Sequence, residues 1–403
     1  MFHGWRVVAA CFVVATVAWG LGTFGASVYL QSVTAAHGWP IADVAFAITL
    51  FYLVSALVQR AVGRAIDRWG PRPVLMLGML SMALGVALIG QITVRWQLYP
   101  CFVLIGLGWS TLSTTGISAT VAPWFERHQG RSMTLAIMGA SVGAVVGVPA
   151  LQFAIRRFGL EQGLLVVGTV ATCLLLPLIA CVLRYRRPEE IGLQRDGHGS
   201  IDQALQPPTR PPIATTANAR ILLWSAAAAI ALGLSMQIGF ITHHVTLAQP
   251  LIGTEGAGFL VSAAGGSAFV GRLILARIVD GVAVRKLACL VMIAQSAALL
   301  SLAAWPTVPM LIGASLVYGY GIGHITTLGP IIVRREFGAA AFGATYGAAA
   351  SVIQLTTAFG PALFGVLRDT FGDYRPGLAI ASAVTLAACL ILFSGGWLAA
   401  ART

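Results

Sequence analysis

The sequence contains few charged residues. Asp, Glu, Lys and Arg make up only 9% of its 403 residues and 58% are hydrophobic, whereas an average soluble domain has about 25% charged residues. So little charge over this length excludes an ordinary soluble domain. The composition indicates a polytopic membrane protein.

Acidic residues are scarcer than basic ones, 13 against 25. None of the 13 acidic residues falls near the centre of a long apolar run, and these runs contain no Asn. A carrier of cations or cationic drugs needs a membrane-buried carboxylate for its cargo. Sugar carriers tend to line their cavity with Asn, Gln and Trp. The sequence therefore argues against both classes and, with arginines inside apolar runs, favours an anion.

The usual signatures of enzymes and metal sites are missing as well. The six cysteines lie in apolar runs without paired spacing, which disfavours a disulfide framework or a metal site. The glycine-rich stretch at 138–149 lacks the lysine of a phosphate-binding loop. Its small residues at 139, 143 and 147 predict close helix packing instead. We expect no enzyme activity, no cofactor and no metal.

Twelve apolar runs of about 20 residues follow one another, separated by short polar breaks. They lie near residues 6–30, 44–66, 74–94, 98–121, 133–155, 163–183, 221–247, 257–279, 286–305, 308–331, 340–366 and 377–399. In lipid such runs must be helices, because nothing else satisfies their backbone polar groups. We predict an all-α membrane protein with twelve transmembrane helices.

The net charge of +12 follows this topology. If the N-terminus is inside, five of the 25 Lys and Arg residues face outside and two, Arg60 and Arg272, lie within runs, so 18 face the cytoplasm. This bias is the positive-inside signal. We expect a multi-pass protein of the plasma (inner) membrane with both termini cytoplasmic, and no nucleic-acid partner.

The chain divides into two repeated halves. The polar stretch 184–220 predicts a cytoplasmic linker between six-helix domains at 1–183 and 221–403. An offset of 213 residues pairs positions of the two halves throughout their length. The pairs include Arg64 with Arg277, Asp67 with Asp280, Arg72 with Arg285, Gly20 with Gly233, Gly106 with Gly319, Gly108 with Gly321 and Phe-Gly at 158 with Phe-Gly at 371.

The pattern G-x-x-x-D-R-x-G-x-R at 63–72, its partial copy at 276–285 and the six-plus-six layout resemble the major facilitator superfamily of secondary transporters. The resemblance covers the whole chain and implies two pseudo-symmetric six-helix domains around a central cavity. In that family the motif is a conformational latch, although it can also serve only as a topological anchor. The latch residues implied here are Gly63, Arg64, Asp67, Arg68, Gly70, Arg72, Arg277, Asp280 and Arg285.

Several segments are similar to the monocarboxylate and oxalate:formate branch of this family. They begin at residues 3, 122, 239 and 360 and include HGWRVVAACFVV and GPALFGVLRDTFGDY. In that branch a basic residue of the eighth helix contacts the substrate carboxylate, and Arg272 matches its context. The acidic residue that proton-coupled animal members carry one turn earlier corresponds to Ala268 here.

Arg272 is the leading candidate for substrate binding. It lies roughly 12 Å along a helix from Asp280, where a buried charge is costly, and its guanidinium fork matches a carboxylate. His324 falls at a similar depth. A structural arginine and a packing histidine are the alternatives. The other candidates are Gln237, Gln354, Tyr346, His243 and Arg60. Their alternatives are helix packing for the first three, gating or outer-leaflet packing for His243, and snorkelling toward Asp67 for Arg60.

We therefore expect a secondary active transporter of small organic anions, chiefly monocarboxylates, that works by alternating access as a monomer in the bilayer. Protons or a counter-anion are candidate co-substrates. The alternatives are an efflux transporter of amphipathic drug-like compounds and a membrane sensor built on a transporter scaffold.

Overall fold

The computed structural model describes residues 2–126, 128–197 and 219–400, apart from the side chains of Asp280, Arg334, 338–348 and 398–400. Within these ranges all regular elements are helices. The first half contains α1 (His3–Leu21), α2 (Gly25–His37), α3 (Ile41–Trp69), α4 (Pro71–Ile89), α5 (Leu98–Leu112), α6 (Thr114–Val121), α7 (Gln129–Val142) and α8 (Val148–Val182). The second half contains α9 (Ala219–Ile278), α10 (Val284–Ala304), α11 (Val308–Ala358), α12 (Gly360–Phe371) and α13 (Arg375–Ala400).

Ten helical segments of the described chain are long and apolar enough to cross a membrane. Two of them, Gln129–Val182 and Ala219–Ile278, have 54 and 60 residues, more than twice the roughly 20 residues that one crossing needs. Each is bent at a glycine with positive φ, at Gly159 (φ 80°) and Gly253 (φ 72°). The all-helical membrane architecture is thus confirmed, while the count of twelve crossings stays a prediction.

The two halves pack alike at positions 213 residues apart. A Cβ atom on Gly106 would meet the Phe51 backbone, and one on Gly319 would meet the Ala264 backbone, its counterpart under the same shift. The Phe-Gly pairs at 158 and 371 both place their glycine at positive φ, 80° and 78°. These backbone positions follow the internal repeat that the sequence predicts. The linker at 184–220 falls mostly outside the described residues.

The small residues of the fifth run bring two helices into close contact, as predicted. A Cβ atom on Gly143 would lie 2.5 Å from the Thr16 carbonyl oxygen, and one on Gly147 would lie 2.6 Å from the Gly20 Cα atom. The chain between α7 and α8 forms a π-helical turn at Gly143–Gly147. Its Ala144 also accepts a 3.4 Å hydrogen bond from Ser262 of α9, so this segment lies between α1 and the second half.

The bundle has two ends that differ in charge. At one end, which we call the basic end, His3 lies 3.1 Å from the Val182 carbonyl oxygen and Arg186 donates to the Arg68 carbonyl at 3.2 Å. Arg64 and Arg72 lie at the same end, beside the α3–α4 turn. The other end, which we call the far end, contains the α2–α3 and α12–α13 connections.

Candidate substrate site between the two halves

Arg272 reaches from the second half of the chain to the first. Its guanidinium donates a hydrogen bond to the Ser141 hydroxyl of α7. The side chain is half-buried, and no described carboxylate forms an ion pair with it. Its stem packs on Gly323, where a Cβ atom would lie 3.2 Å from Arg272 Cγ. The arginine is therefore a cation at the junction of the halves with a neutral described partner.

His324 lies on the part of α11 that packs against the Arg272 segment of α9, in line with their similar depths along the two helices. A Cβ atom on the neighbouring Gly271 would lie 3.2 Å from His324 Nδ1, so glycine leaves room for the ring. Nδ1 lies 3.0 Å from the Tyr320 carbonyl oxygen, to which it can only donate. In the neutral ring Nε2 is then an acceptor, and it is buried without a described protein partner. The site thus contains a donor, the Arg272 guanidinium, and an acceptor without a described protein partner, His324 Nε2.

A second polar group connects the halves between α3 and α11. Gln59 donates to Thr115 within the first half, and its Oε1 lies 3.5 Å from the Gln354 side-chain nitrogen of the second half. Next to it, Arg60 donates to the Ser351 hydroxyl at 3.2 Å. Gln354 and Arg60 are thus both placed between the halves. Gln59 is the repeat counterpart of Arg272, and it was not among the residues predicted to bind substrate.

Gln237 is another predicted binding residue, and it lies buried inside the second half. Gln237 is 1% exposed on α9, and its side-chain nitrogen is buried without a described partner. It has the unmet hydrogen-bonding capacity expected of a binding residue. The side chain of Tyr346 lies outside the described residues.

His243 belongs to a packed network at the far end. It is fully buried, with Nε2 3.0 Å from the Pro361 carbonyl oxygen and Nδ1 3.0 Å from the Tyr374 hydroxyl. Both ring nitrogens are therefore already satisfied by α12 and the loop after it. Burial raises the pKa of the Tyr374 phenol, which keeps it neutral. These contacts indicate a structural role at the far end.

Polar contacts between the halves gather at the far end and the middle of the described bundle. The Asp369 carboxylate accepts a 2.7 Å hydrogen bond from the Ala42 N–H at the start of α3. Arg156 and Glu255 form an ion pair at 3.2 Å, and the Ala362 N–H donates to Thr49 at 3.1 Å. These bonds close the far end over the central polar residues.

The first copy of the predicted latch lies exposed at the basic end. Arg64, Asp67, Arg68 and Arg72 are all exposed, and none of them takes part in a described ion pair. The turn itself needs a glycine: Gly70 has φ 87°, a conformation that favours a residue without a side chain. Gly63, one helical turn before Asp67, has nothing within 4 Å of an added Cβ atom.

The second copy holds a buried ion pair instead. Arg285 lies 2.5 and 3.0 Å from the two carboxylate oxygens of Glu336, with side chains 14% and 8% exposed. The same guanidinium donates to the carbonyls of Leu222 and Leu392. Arg277 is exposed, and the Asp280 side chain lies outside the described residues. Glu336 was not predicted from the sequence, where its signal is an acidic residue beside two arginines at 334–336.

Relatives that align over nearly the whole chain include monocarboxylate transporters. "Monocarboxylate transporter 13" of Bos taurus is 26% identical over 97% of this chain and 89% of its own length. "Monocarboxylate transporter 11" of Homo sapiens is 25% identical over 96% and 82%. These relatives confirm the resemblance read from the sequence. "Multidrug resistance protein MdtH" of Photorhabdus laumondii is 36% identical over only 27% of either chain.

Solved structures with the same architecture include transporters. A mutant of the nucleoside transporter NupG superposes with a TM-score of 0.75 at 12% identity, over 96% of this chain and 99% of its own. A bacterial homologue of the lysosomal transporter Spinster gives 0.68 at 14% identity, over 98% and 95%. A profile of the Major Facilitator Superfamily matches residues 10–280. The chain belongs to the Major Facilitator Superfamily and is a membrane transporter rather than an enzyme.

Proposed function

We propose that this protein is a secondary active transporter of small organic anions, chiefly monocarboxylates, that works by alternating access. In this proposal it lies in the plasma (inner) membrane with both termini in the cytoplasm, so that the basic end faces inward. The central site takes one carboxylate at a time between the halves. The two monocarboxylate transporters that align over nearly the whole chain support this substrate class.

The observation that carries the proposal is the environment of Arg272. It is a half-buried guanidinium whose described partner is the neutral hydroxyl of Ser141. An unpaired charge inside a membrane protein is costly, and charge-assisted bidentate hydrogen bonds to a carboxylate offset that cost. A small carboxylate would replace the hydroxyl at Arg272, which leaves Ser141 free to contact the substrate as well.

Binding at this position couples the site to the two halves. Arg272 belongs to α9 and Ser141 to α7, so a substrate held by both would bridge the halves near the middle of the bundle. Closing the basic end around the substrate must then break far-end bonds such as that between Asp369 and Ala42. Only a carrier with differential affinity for its two states is moved in this way by its ligand.

Proton coupling would use His324. Its Nε2, which has no described protein partner, can take up a proton or accept a hydrogen bond from the protonated acid, on the part of α11 that packs against the Arg272 segment. The residue one turn before Arg272 is Ala268, so no carboxylate there competes for that proton. Anion exchange or uniport would not need His324, and a pH gradient distinguishes these modes.

The experiment is uptake of labelled carboxylates into proteoliposomes, with and without a pH gradient. We expect wild-type uptake of monocarboxylates and strongly reduced uptake by Arg272→Gln. Arg220→Gln, which removes an exposed arginine at the start of the same helix, is the matched control and should transport like the wild type. Unchanged uptake in Arg272→Gln would contradict the site, and uptake of cations without acids would contradict the function.

Efflux of amphipathic compounds is a second candidate, because MdtH is 36% identical over 111 residues. The same vesicles can test it with a fluorescent amphipathic cation and a fluorescent amphipathic acid. Transport of the cation would favour efflux over carboxylate transport. We do not expect it, because no described carboxylate pairs with Arg272 and none there would attract a cation. Transport of neither dye, together with uptake of small acids, supports the main proposal.

A further inference from the structure

A large groove lies outside the central site, on the flank of the first half. It has a volume of about 1070 Å³ and runs between α3, α4 and α5 near the basic end. All its lining residues belong to the first half, so it is separate from the site at Arg272. They include Ala61, Arg64, Arg68, Trp69, Leu77 and Leu107.

The groove is apolar and opens sideways. Leu77 and Trp69, which line it, are 67% and 57% exposed. The neighbouring Leu57 on α3 is 71% exposed. In a helix that spans a membrane, apolar side chains with this exposure face lipid. The occupant of the groove therefore enters from the bilayer, and its larger part is apolar.

One end of the groove is positively charged. Arg64 and Arg68 are one helical turn apart on α3 and both line the groove. Both are exposed, and neither is paired with a described carboxylate, including Asp67 between them. The Arg68 guanidinium lies 5.8 Å from the centre of the Trp69 ring. A tryptophan beside two guanidiniums without described ion-pair partners is typical of the depth at which lipid headgroups lie.

We propose that this groove binds an anionic phospholipid, with its phosphate on Arg64 and Arg68 and an acyl chain along the apolar wall. Basic pockets between helices at the inner face of a membrane are suited to anionic headgroups, and arginine binds phosphate through two parallel hydrogen bonds. The proposal needs only the groove and its charges and is independent of the transported substrate.

The test measures lipid retained by the full-length protein. The protein is purified in detergent with an equal mixture of phosphatidylglycerol and phosphatidylcholine, and bound lipid is counted by native mass spectrometry. We expect the wild type to retain phosphatidylglycerol in preference to phosphatidylcholine. Arg64→Gln/Arg68→Gln should lose that preference, with binding weakened about fivefold for each arginine removed. Arg72→Gln, in the same turn but outside the groove, should retain it.

A second variant tests the apolar part of the groove without touching the arginines. Ala61 is exposed and lines the groove, so Ala61→Trp should fill the path of the acyl chain and abolish retention. Equal retention of phosphatidylglycerol in the double arginine variant, or in Ala61→Trp, would overturn the proposal. So would equal retention of the two lipids by the wild type, or release of phosphatidylglycerol by millimolar inorganic phosphate, which would indicate a free-anion site.

Discussion

Asp369 connects the halves in a way that should bias the carrier toward the state closed at the far end. Its carboxylate accepts the hydrogen bond of the Ala42 N–H at 2.7 Å. The N-cap residue of α3 is Pro40, which makes no side-chain cap bond, so a residue of the other half caps this helix. That bond exists only while the far end is closed. Asp369→Ala should therefore destabilise one state and leave the other unchanged.

The size of the effect follows from the two interactions that are lost. An N-cap bond contributes about 1 kcal/mol, and a carboxylate at a helix N-terminus adds about 0.5 kcal/mol when exposed. Because Asp369 is exposed, both values are taken well below the upper end of their ranges. The sum of about 1.5 kcal/mol changes the ratio of the two states about tenfold. Asp369→Asn keeps an acceptor and should shift the ratio less.

The assay is a distance measurement across the far end. Nitroxide labels at Ala36→Cys and Thr370→Cys, both exposed positions, report the separation of the halves in a background without the six native cysteines. Asp373→Ala is the matched control, because Asp373 caps the Arg375 N–H at 2.8 Å within the same half. If Asp369→Ala gives the wild-type distance distribution, or if Asp373→Ala shifts it equally, the capping argument is refuted.

Three further predictions concern stability and the role of His243. Glu336→Gln should lower the free energy of unfolding by about 3 kcal/mol, measured by thermal melting in detergent. The control Glu189→Gln breaks the exposed 3.7 Å pair with Arg195 and should cost under about 1 kcal/mol. Equal melting temperatures of the two variants would contradict this prediction. Gly139→Ala should cost about 2 kcal/mol because its Cβ atom meets the Phe12 carbonyl, whereas Gly313→Ala, with nothing within 4 Å, should melt like the wild type. His243→Phe should lower the free energy of unfolding by about 1–3 kcal/mol, because the hydrogen bond to Pro361 is lost, and should leave the KM for a carboxylate unchanged. A rise in KM as large as that of Arg272→Gln would indicate that His243 contacts the substrate.

The sequence predicts those features that depend on local patterns. Apolar runs give helices in lipid, whatever their partners are. The spacing of Gly139, Gly143 and Gly147 predicts close packing, and all three meet backbone atoms of α1. The neighbourhood of Arg272 and His324 follows from counting residues along two helices of one bundle. Each of these features follows from the residues of a single helix, or from the fixed rise per residue along it.

The partners of these residues could not be predicted, because they depend on how distant helices rotate. Ser141 meets Arg272 across 131 positions, and Asp369 meets Ala42 across 327. Serine is common in membrane helices as a packing residue, so Ser141 carries no signal of its own. His243 was expected in the site for its similarity to a branch pattern, whereas its two hydrogen bonds lie at the far end.

The duplication explains which positions of the two halves correspond, but not why the halves differ in charge at some of them. Arg72 and Arg285 are counterparts, yet Arg72 is exposed and Arg285 is buried against Glu336, whose own counterpart is Pro123. Gln59 and Arg272 are also counterparts, and the first is neutral while the second is a cation. The second half thus has a charged residue where the first has a neutral one at two positions, Glu336 for Pro123 and Arg272 for Gln59. At Arg285 a carboxylate of the protein balances that charge; at Arg272 the described partner is a hydroxyl, and a substrate carboxylate is the group that would balance it.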